Sequence, residues 1–133
     1  MIANRSVPTA TVIPELPYDD VARASEWLCR AFGFKERLRI GDHRAQLVLG
    51  DGAVIVTARG ATSRAAVLVR VADVDRHHEQ AKKNGARILQ PPADHPYGER
   101  QYSAEDLGGH VWTFSQSIAD VDPVSWGGIL IIR

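Results

Sequence analysis

One pattern of strands and a helix occurs twice in this chain, and this internal repeat limits the possible fold more than any other feature. Asp20-Val21 opens a helix in the first copy, and Asp73-Val74 opens one 53 positions later. Each copy reads as strand, helix and then three short strands, because apolar residues alternate in the strands and recur at 3.6-residue spacing in the helices. The shared glycine landmarks are Gly33 with Gly85, closing the helices, and Gly52 with Gly109, starting the final strands.

The segments themselves carry ordinary start and stop signals. A short carboxylate such as Asp20 accepts from free N–H groups in a first helical turn, and Gly33 supplies a left-handed stop. Pro14 and Pro17 direct the first strand to a sheet edge, because proline cannot donate to a ladder. The strands are predicted near 11–18, 35–40, 44–49, 53–58, 65–73, 86–90, 100–105 and 109–116.

One copy alone cannot bury both faces of its small sheet. Two copies side by side therefore predict an α+β domain with a curved eight-stranded mixed sheet, helices on the convex side and a cleft on the other. We expect a single domain over 1–133, with module one at about 9–60, module two at about 64–117 and a tail at 118–133. The tail ends in an apolar run, Ile129-Leu130-Ile131-Ile132, which we expect to pack on the domain or on a partner subunit.

Composition excludes several classes of partner. Sixteen basic and sixteen acidic residues give no formal net charge, whereas nucleic acids and anionic membranes attract an excess of basic charge. The single cysteine, Cys29, allows no intrachain disulfide and argues against a cysteine-based zinc site. No apolar run reaches the roughly 20 residues that span a bilayer, and no secretory signal is visible. These features predict a cytoplasmic protein.

Three stretches together resemble the vicinal oxygen chelate superfamily, also called the glyoxalase / bleomycin resistance / dioxygenase family. They are VIPELPYDDVARASEWLCRAFGF (12–34), VRVADVDRHHEQAKKNGARIL (69–89) and YGERQYSAEDLGGHVWTFSQ (97–116). The likeness covers about residues 9–117. It implies the tandem βαβββ fold and, for many members, a homodimer, with or without exchanged modules. It leaves function open, because one fold hosts many chemistries.

Enzymes of the family hold a divalent metal on the first and last strand of each module. Counted from the capping aspartates and the turn glycines, the matching positions in this chain are Ile13, Val56, Ala66 and Thr113. Three of these side chains cannot coordinate a metal, and a lone hydroxyl is a poor ligand. The resemblance therefore predicts the fold without the metal centre, and no cofactor is expected.

The side chains predicted to line the cleft are mostly apolar with a few polar groups, a mixture typical of a site for a small organic molecule. If Ile13 faces the cleft, the two-residue period of a strand places Glu15 there too. On the strand near 53–58, the same period places Val54, Val56 and Ala58 in the cleft. The predicted ligand-binding residues are Glu15, Arg70, Tyr97, Arg100, Tyr102, Thr113, Ser115 and Trp126, with no catalytic residue. Two structural alternatives stay open: Glu15 and Arg70 pair with each other or meet water, and the segment from Tyr97 to Arg100 is a turn.

The histidines have mainly structural interpretations. His77 and His78 are adjacent on the second helix, cannot chelate as a pair, and are expected on a solvated face. His110 shares a face with the aromatic residues of the last strand, so we expect it to be structural. His95, in a loop near the cleft, is kept as a candidate ligand contact.

Three functions follow as hypotheses. The first is a metal-independent, small-molecule-binding protein that resembles the bleomycin-resistance branch and sequesters or carries its ligand. The second is a metal-dependent lyase, isomerase or dioxygenase whose ligands are misaligned here. The third is a structural or regulatory dimer without a ligand.

Overall fold

The computed structural model describes residues 4, 6, 8–59 and 65–126. Its elements, in chain order, are β1 (Glu15–Tyr18), α1 (Val21–Phe32), β2 (Lys35–Ile40), β3 (Arg44–Leu49), β4 (Gly52–Ala58), β5 (Ala66–Arg70), α2 (Val74–Lys83), β6 (Arg87–Asp94), β7 (Glu99–Glu105) and β8 (Val111–Ser117). A short 3-10 helix, Pro123–Trp126, follows them. No helix in this part of the chain is long and apolar enough to cross a membrane.

The strands hydrogen-bond as two four-stranded sheets that repeat one topology. The first sheet has the order β1-β4-β3-β2 and the second β5-β8-β7-β6. In each, the opening strand pairs in parallel with the last strand, and the other pairs are antiparallel. The α+β class and the tandem βαβββ order predicted from the repeat are confirmed.

Local signals set the helix boundaries. The side chain of Asp20 accepts from the backbone N–H of Arg23, and that of Asp73 accepts from Arg76. Each bond satisfies one of the free donors in a first helical turn. Gly33 ends α1 at a φ of 84°, a left-handed conformation that glycine adopts without steric cost.

Both helices pack on one shared core. Helix α1 lies against β3 and β4, helix α2 lies against β6, β7 and β8, and the two helices also contact each other. The ring of Phe32, at the end of α1, meets Trp112 and Phe114 of β8 with centroids 5.2 and 4.9 Å away. The two modules are therefore joined on their helical side.

A buried carboxylate also links the modules. Oδ2 of Asp106, in the turn before β8, accepts from the hydroxyl of Tyr18 at 2.6 Å and from the indole N–H of Trp112 at 2.9 Å. Its Oδ1 accepts the backbone N–H groups of Gly108 and His110. Four donors around one buried carboxylate make it the centre of a rigid turn, since hydrogen bonds to charged groups are the stronger kind.

The segment after β8 lies against the β6–β7 turn. The backbone N–H groups of Ile118 and Ala119 donate to the carbonyl of Gly98 at 2.8 and 3.3 Å. The apolar run Ile129–Ile132, which the sequence analysis expects to be packed, lies outside the described residues.

Candidate functional site: a pocket in the seam between the modules

The edge of β1 lies beside the edge of β5, and we call this junction the seam. The ring of His110 bridges it: Nε2–H donates to the carbonyl of Pro17 at 2.6 Å, and Nδ1 accepts from the backbone N–H of Ala65 at 2.7 Å. The ring is fully buried and also meets Tyr18 edge to face. The structural role predicted for His110 is confirmed.

The seam is where the expected eight-stranded sheet divides into two. Pro17 has no N–H to offer across the junction, and its carbonyl accepts from a side chain instead of from a strand. The two sheets therefore lie side by side without a ladder between β1 and β5.

The seam opens at its other end into a pocket of about 660 Å³. Val12 and Pro14 line it on the β1 side, and the segment from Val67 to Ala72 lines it on the β5 side. The β3–β4 turn and the start of β4 form a further wall, together with the ring of Phe34. This volume lies within the range of pockets that hold small organic molecules.

The pocket wall is apolar except at three side chains. The apolar lining residues are Val12, Pro14, Phe34, Leu49, Ala53, Val54, Val67, Leu68, Val69, Val71 and Ala72. Asp51 stands on the β3–β4 turn, Arg70 at the end of β5, and His77 on α2. Val67, Val69 and Val71 also pack against the core.

His77 is held by both ring nitrogens. Its Nε2 lies 3.1 Å from the carbonyl oxygen of Phe32, so that nitrogen carries the proton and donates. Its Nδ1 therefore accepts from the hydroxyl of Tyr102, 2.5 Å away. Burial lowers the pKa of His77 because a charged ring loses solvation there. The prediction of a solvated face for His77 is wrong, since the ring joins α2 to the end of α1.

The non-core face of the second sheet, which we call the open face, carries a polar network. The hydroxyl of Ser115 donates to Glu99 at 2.7 Å and accepts from the amide of Gln101 at 3.0 Å. Tyr97 donates to the same Gln101 side chain. Thr113 shares a hydrogen bond with Ser103. Three of the predicted ligand-binding residues, Tyr97, Thr113 and Ser115, therefore lie together on this face.

Arg70 connects the open face to the pocket. Its guanidinium donates to the hydroxyl of Ser117 at 3.0 Å and lines the pocket mouth. Hydrogen bonds from Ser117 and Ser115 lower the pKa of Glu99, and the nearby charge of Arg70 acts in the same direction. One structural alternative was that Arg70 pairs with Glu15. Arg70 instead contacts this network.

The other predicted contacts are used differently. Glu15 forms an exposed ion pair with Arg44 on the first sheet. Arg100 forms ion pairs with Asp75 and Asp94. The phenol of Tyr102 is 1% exposed and lies in the core. The prediction that Tyr102 lies at the cleft mouth is therefore wrong.

Two predicted residues remain to be placed. The ring of His95 stacks on that of Tyr97 at an interplanar angle of 12°, in the loop predicted to lie near the cleft. Trp126 ends the 3-10 helix, but its side chain lies outside the described part of the structure.

The positions that match the family's metal ligands carry no set of donors. Ala66 and Thr113 lie on the open face, as predicted, but Val56 packs in the core with Val54. Its neighbour Ile55, which pairs with Glu15, is the residue that faces away from the core. Within residues 4, 6, 8–59 and 65–126, no three His, Cys, Asp or Glu side chains are placed to hold a metal ion. The described side chains at these positions therefore do not fit a metal centre of the family type.

Sequence reasoning missed the wall contributed by module one. Phe34 and Asp51 line the pocket but are absent from the predicted ligand-binding residues. Pro14 and Pro17 were the available signals that this edge stays unpaired.

Comparison with known proteins places the chain in a family. The sequence pattern of the Glyoxalase/Bleomycin resistance protein/Dioxygenase superfamily matches residues 10–114. The chain belongs to this superfamily. None of the curated proteins compared with the chain matches it.

Solved structures agree with that assignment. TioX from Micromonospora sp. ML1 is 39% identical, with a TM-score of 0.74 over 80% of this chain and 97% of TioX. A bleomycin-binding protein from Streptomyces verticillus, solved with copper(II)-bleomycin, is 19% identical with a TM-score of 0.66, over 81% of this chain and 96% of its own. Lactoylglutathione lyase from Agrobacterium tumefaciens is 15% identical with a TM-score of 0.70, over 91% of this chain and 98% of the lyase chain. The fold is thus shared by a binding protein and an enzyme.

Proposed function

We propose that this protein binds a small organic molecule in the seam pocket without a metal ion, and that it sequesters or carries that molecule. The observation that carries the proposal is the pocket itself, which is about 660 Å³ in volume and lined mostly by apolar side chains. Burial of apolar surface supplies the main driving force for a ligand in such a space.

The absence of donors at the family's ligand positions supports binding over metal-assisted chemistry. Ile13, Ile55 and Ala66 offer no donor atom, and the hydroxyl of Thr113 is engaged with Ser103. The buried groups next to the pocket are also satisfied, since both nitrogens of His77 have partners. The bleomycin-binding neighbour shows that the fold serves ligand binding in another protein.

The test is a fluorescence titration with the neutral probe N-phenyl-1-naphthylamine. Ala72 is exposed and lines the pocket, so Ala72→Trp fills the mouth without entering the core. Ala93→Trp places the same side chain on exposed β6, outside the lining. We expect saturable binding that Ala72→Trp weakens at least tenfold and Ala93→Trp leaves unchanged. Equal binding by both variants would contradict the proposal.

We propose that a second copy of the chain binds to the open face and forms a homodimer. Leu68 is 61% exposed there, on an edge strand of the second sheet, and Ala66 beside it is also exposed. An apolar side chain on an edge strand is a liability that a symmetric contact removes. A homodimer would also place the partner over the polar network that borders the pocket mouth.

A further inference from the structure

The charges around the seam pocket are distributed unevenly. Arg70 is the only cationic side chain among the described lining residues, and it stands at the β5 end of the mouth. His77 lies in the same wall, but its Nδ1 accepts a hydrogen bond, so the ring is neutral. Asp51 stands on the β3–β4 turn, in the wall that module one contributes.

Arg70 has donors left for a ligand. Its guanidinium carries five N–H groups, and one of them donates to the neutral hydroxyl of Ser117. The nearest acidic group of the open face, Glu99, accepts a hydrogen bond from Ser115 and not from the guanidinium of Arg70. Arg70 therefore has one hydrogen bond to a neutral hydroxyl, and its charge has no direct ion pair among the described side chains.

The pocket and its charges together define a ligand class. The apolar part of the ligand fills the seam between Phe34, Val54 and Val69, whose side chains offer water no hydrogen-bond partner. An acidic group on the ligand meets the guanidinium, which binds carboxylate and sulfonate-like oxygens through paired N–H groups. A second acidic group near Asp51 would be repelled.

We propose that the seam pocket selects apolar molecules that carry a single anionic group, with that group against Arg70. This inference rests on the proposed function, because it specifies the ligand of the same pocket. It adds a specificity-determining residue, Arg70, and an orientation, with the anion at the β5 end and the apolar body toward the β3–β4 turn.

Two probes with one ring skeleton test the inference. 8-Anilinonaphthalene-1-sulfonate carries a sulfonate, and N-phenyl-1-naphthylamine lacks it. We expect Arg70→Gln to weaken the sulfonate probe about tenfold, which corresponds to one charged hydrogen-bonded contact, and to change the neutral probe less than twofold. Arg70→Lys, which keeps the charge but loses the paired N–H groups, should weaken the sulfonate probe by less than Arg70→Gln does. Arg87→Gln, which removes an exposed charge on β6, should change neither probe.

The outcomes separate this inference from the proposed function. Unchanged binding of the sulfonate probe by Arg70→Gln, or equal weakening of both probes, would overturn the role of Arg70. If the neutral probe still responds to Ala72→Trp in that case, the pocket remains a binding site with a different ligand class. If neither probe responds to Ala72→Trp, the proposed function itself fails.

Discussion

The hydroxyl of Tyr18, at the end of β1, donates to Oδ2 of Asp106 in the β7–β8 turn at 2.6 Å, and this buried bond joins the two modules. Burial and the neighbouring Asp106 both raise the pKa of Tyr18, so the phenol stays protonated and keeps donating. We expect Tyr18→Phe to lower the free energy of unfolding by about 1–3 kcal/mol, the cost of leaving a buried charged acceptor short of one donor. Urea denaturation measures it.

The matched control is Tyr97→Phe. Its hydroxyl donates to Gln101 in a partly buried position on the open face, where water can replace it. A loss at Tyr97 as large as that at Tyr18 would show that the contact between the modules adds no particular stability.

His77 predicts a pH dependence of stability. Burial lowers its pKa in the folded protein below the value of 6.5 for the unfolded chain. The unfolded state therefore binds more protons between the two values, and stability is lost as the pH falls from about 7 through 6.5 toward the folded pKa. In this window the wild-type curve should fall more steeply than that of His77→Gln, by at most about 1.4 kcal/mol per pH unit.

Chemical denaturation at several pH values measures both slopes. His43→Gln, which removes an exposed histidine in the β2–β3 turn, serves as the control and should keep the wild-type slope. Parallel curves for the wild type and His77→Gln would rule out the buried neutral ring described here.

Gly98 supports the segment that follows β8. Its φ is 83°, and an added Cβ would lie 2.5 Å from the carbonyl oxygen of Ala119. Gly98→Ala should destabilise the protein by about 2 kcal/mol or more, since the left-handed strain alone costs about 1–3 kcal/mol and the clash adds to it. Thermal unfolding measures the loss.

Gly50→Ala isolates the backbone part of that effect. Gly50 has a φ of 57°, and an added Cβ there would meet no atom within 4 Å apart from its own chain neighbours. Its loss should therefore be the smaller of the two, and equal losses would show that the contact with Ala119 is unimportant.

The proposed homodimer predicts that Leu68→Asp produces monomers. A charge at the centre of an apolar contact would have to be buried without a partner, whereas in a monomer the same position is solvated. Sedimentation velocity should show a dimer for the wild type and for Leu107→Asp, an exposed leucine in the β7–β8 turn. A wild-type monomer at micromolar concentration would contradict the dimer.

Sequence reasoning succeeded where a single local signal determines the structure. Asp20, Asp73 and Gly33 mark helix ends through their own backbone geometry, and the repeat then fixes the order of the strands. Pro17 correctly indicated an unpaired edge, although only the structure shows that this edge separates the two sheets.

It failed where one residue of register decides which face a side chain takes. Gly109 has a left-handed φ and Gly52 does not, so the two turns are not equivalent starting points for counting. The count therefore placed Val56 in the cleft, and Ile55 takes the position that faces away from the core, since a slip of one residue inverts a strand. Tyr102 and His77 meet across 25 positions of sequence, a contact that no local pattern encodes.

Metal analysis combined with the probe titration tests whether the seam pocket binds its ligand without a metal ion. Untagged protein is analysed for bound Ni, Zn, Mn and Fe, and N-phenyl-1-naphthylamine is titrated before and after exhaustive treatment with a chelator. We expect far less than one metal ion per chain and an unchanged dissociation constant for the probe. One equivalent of metal, or probe binding that disappears on chelation and returns with the metal, would contradict it.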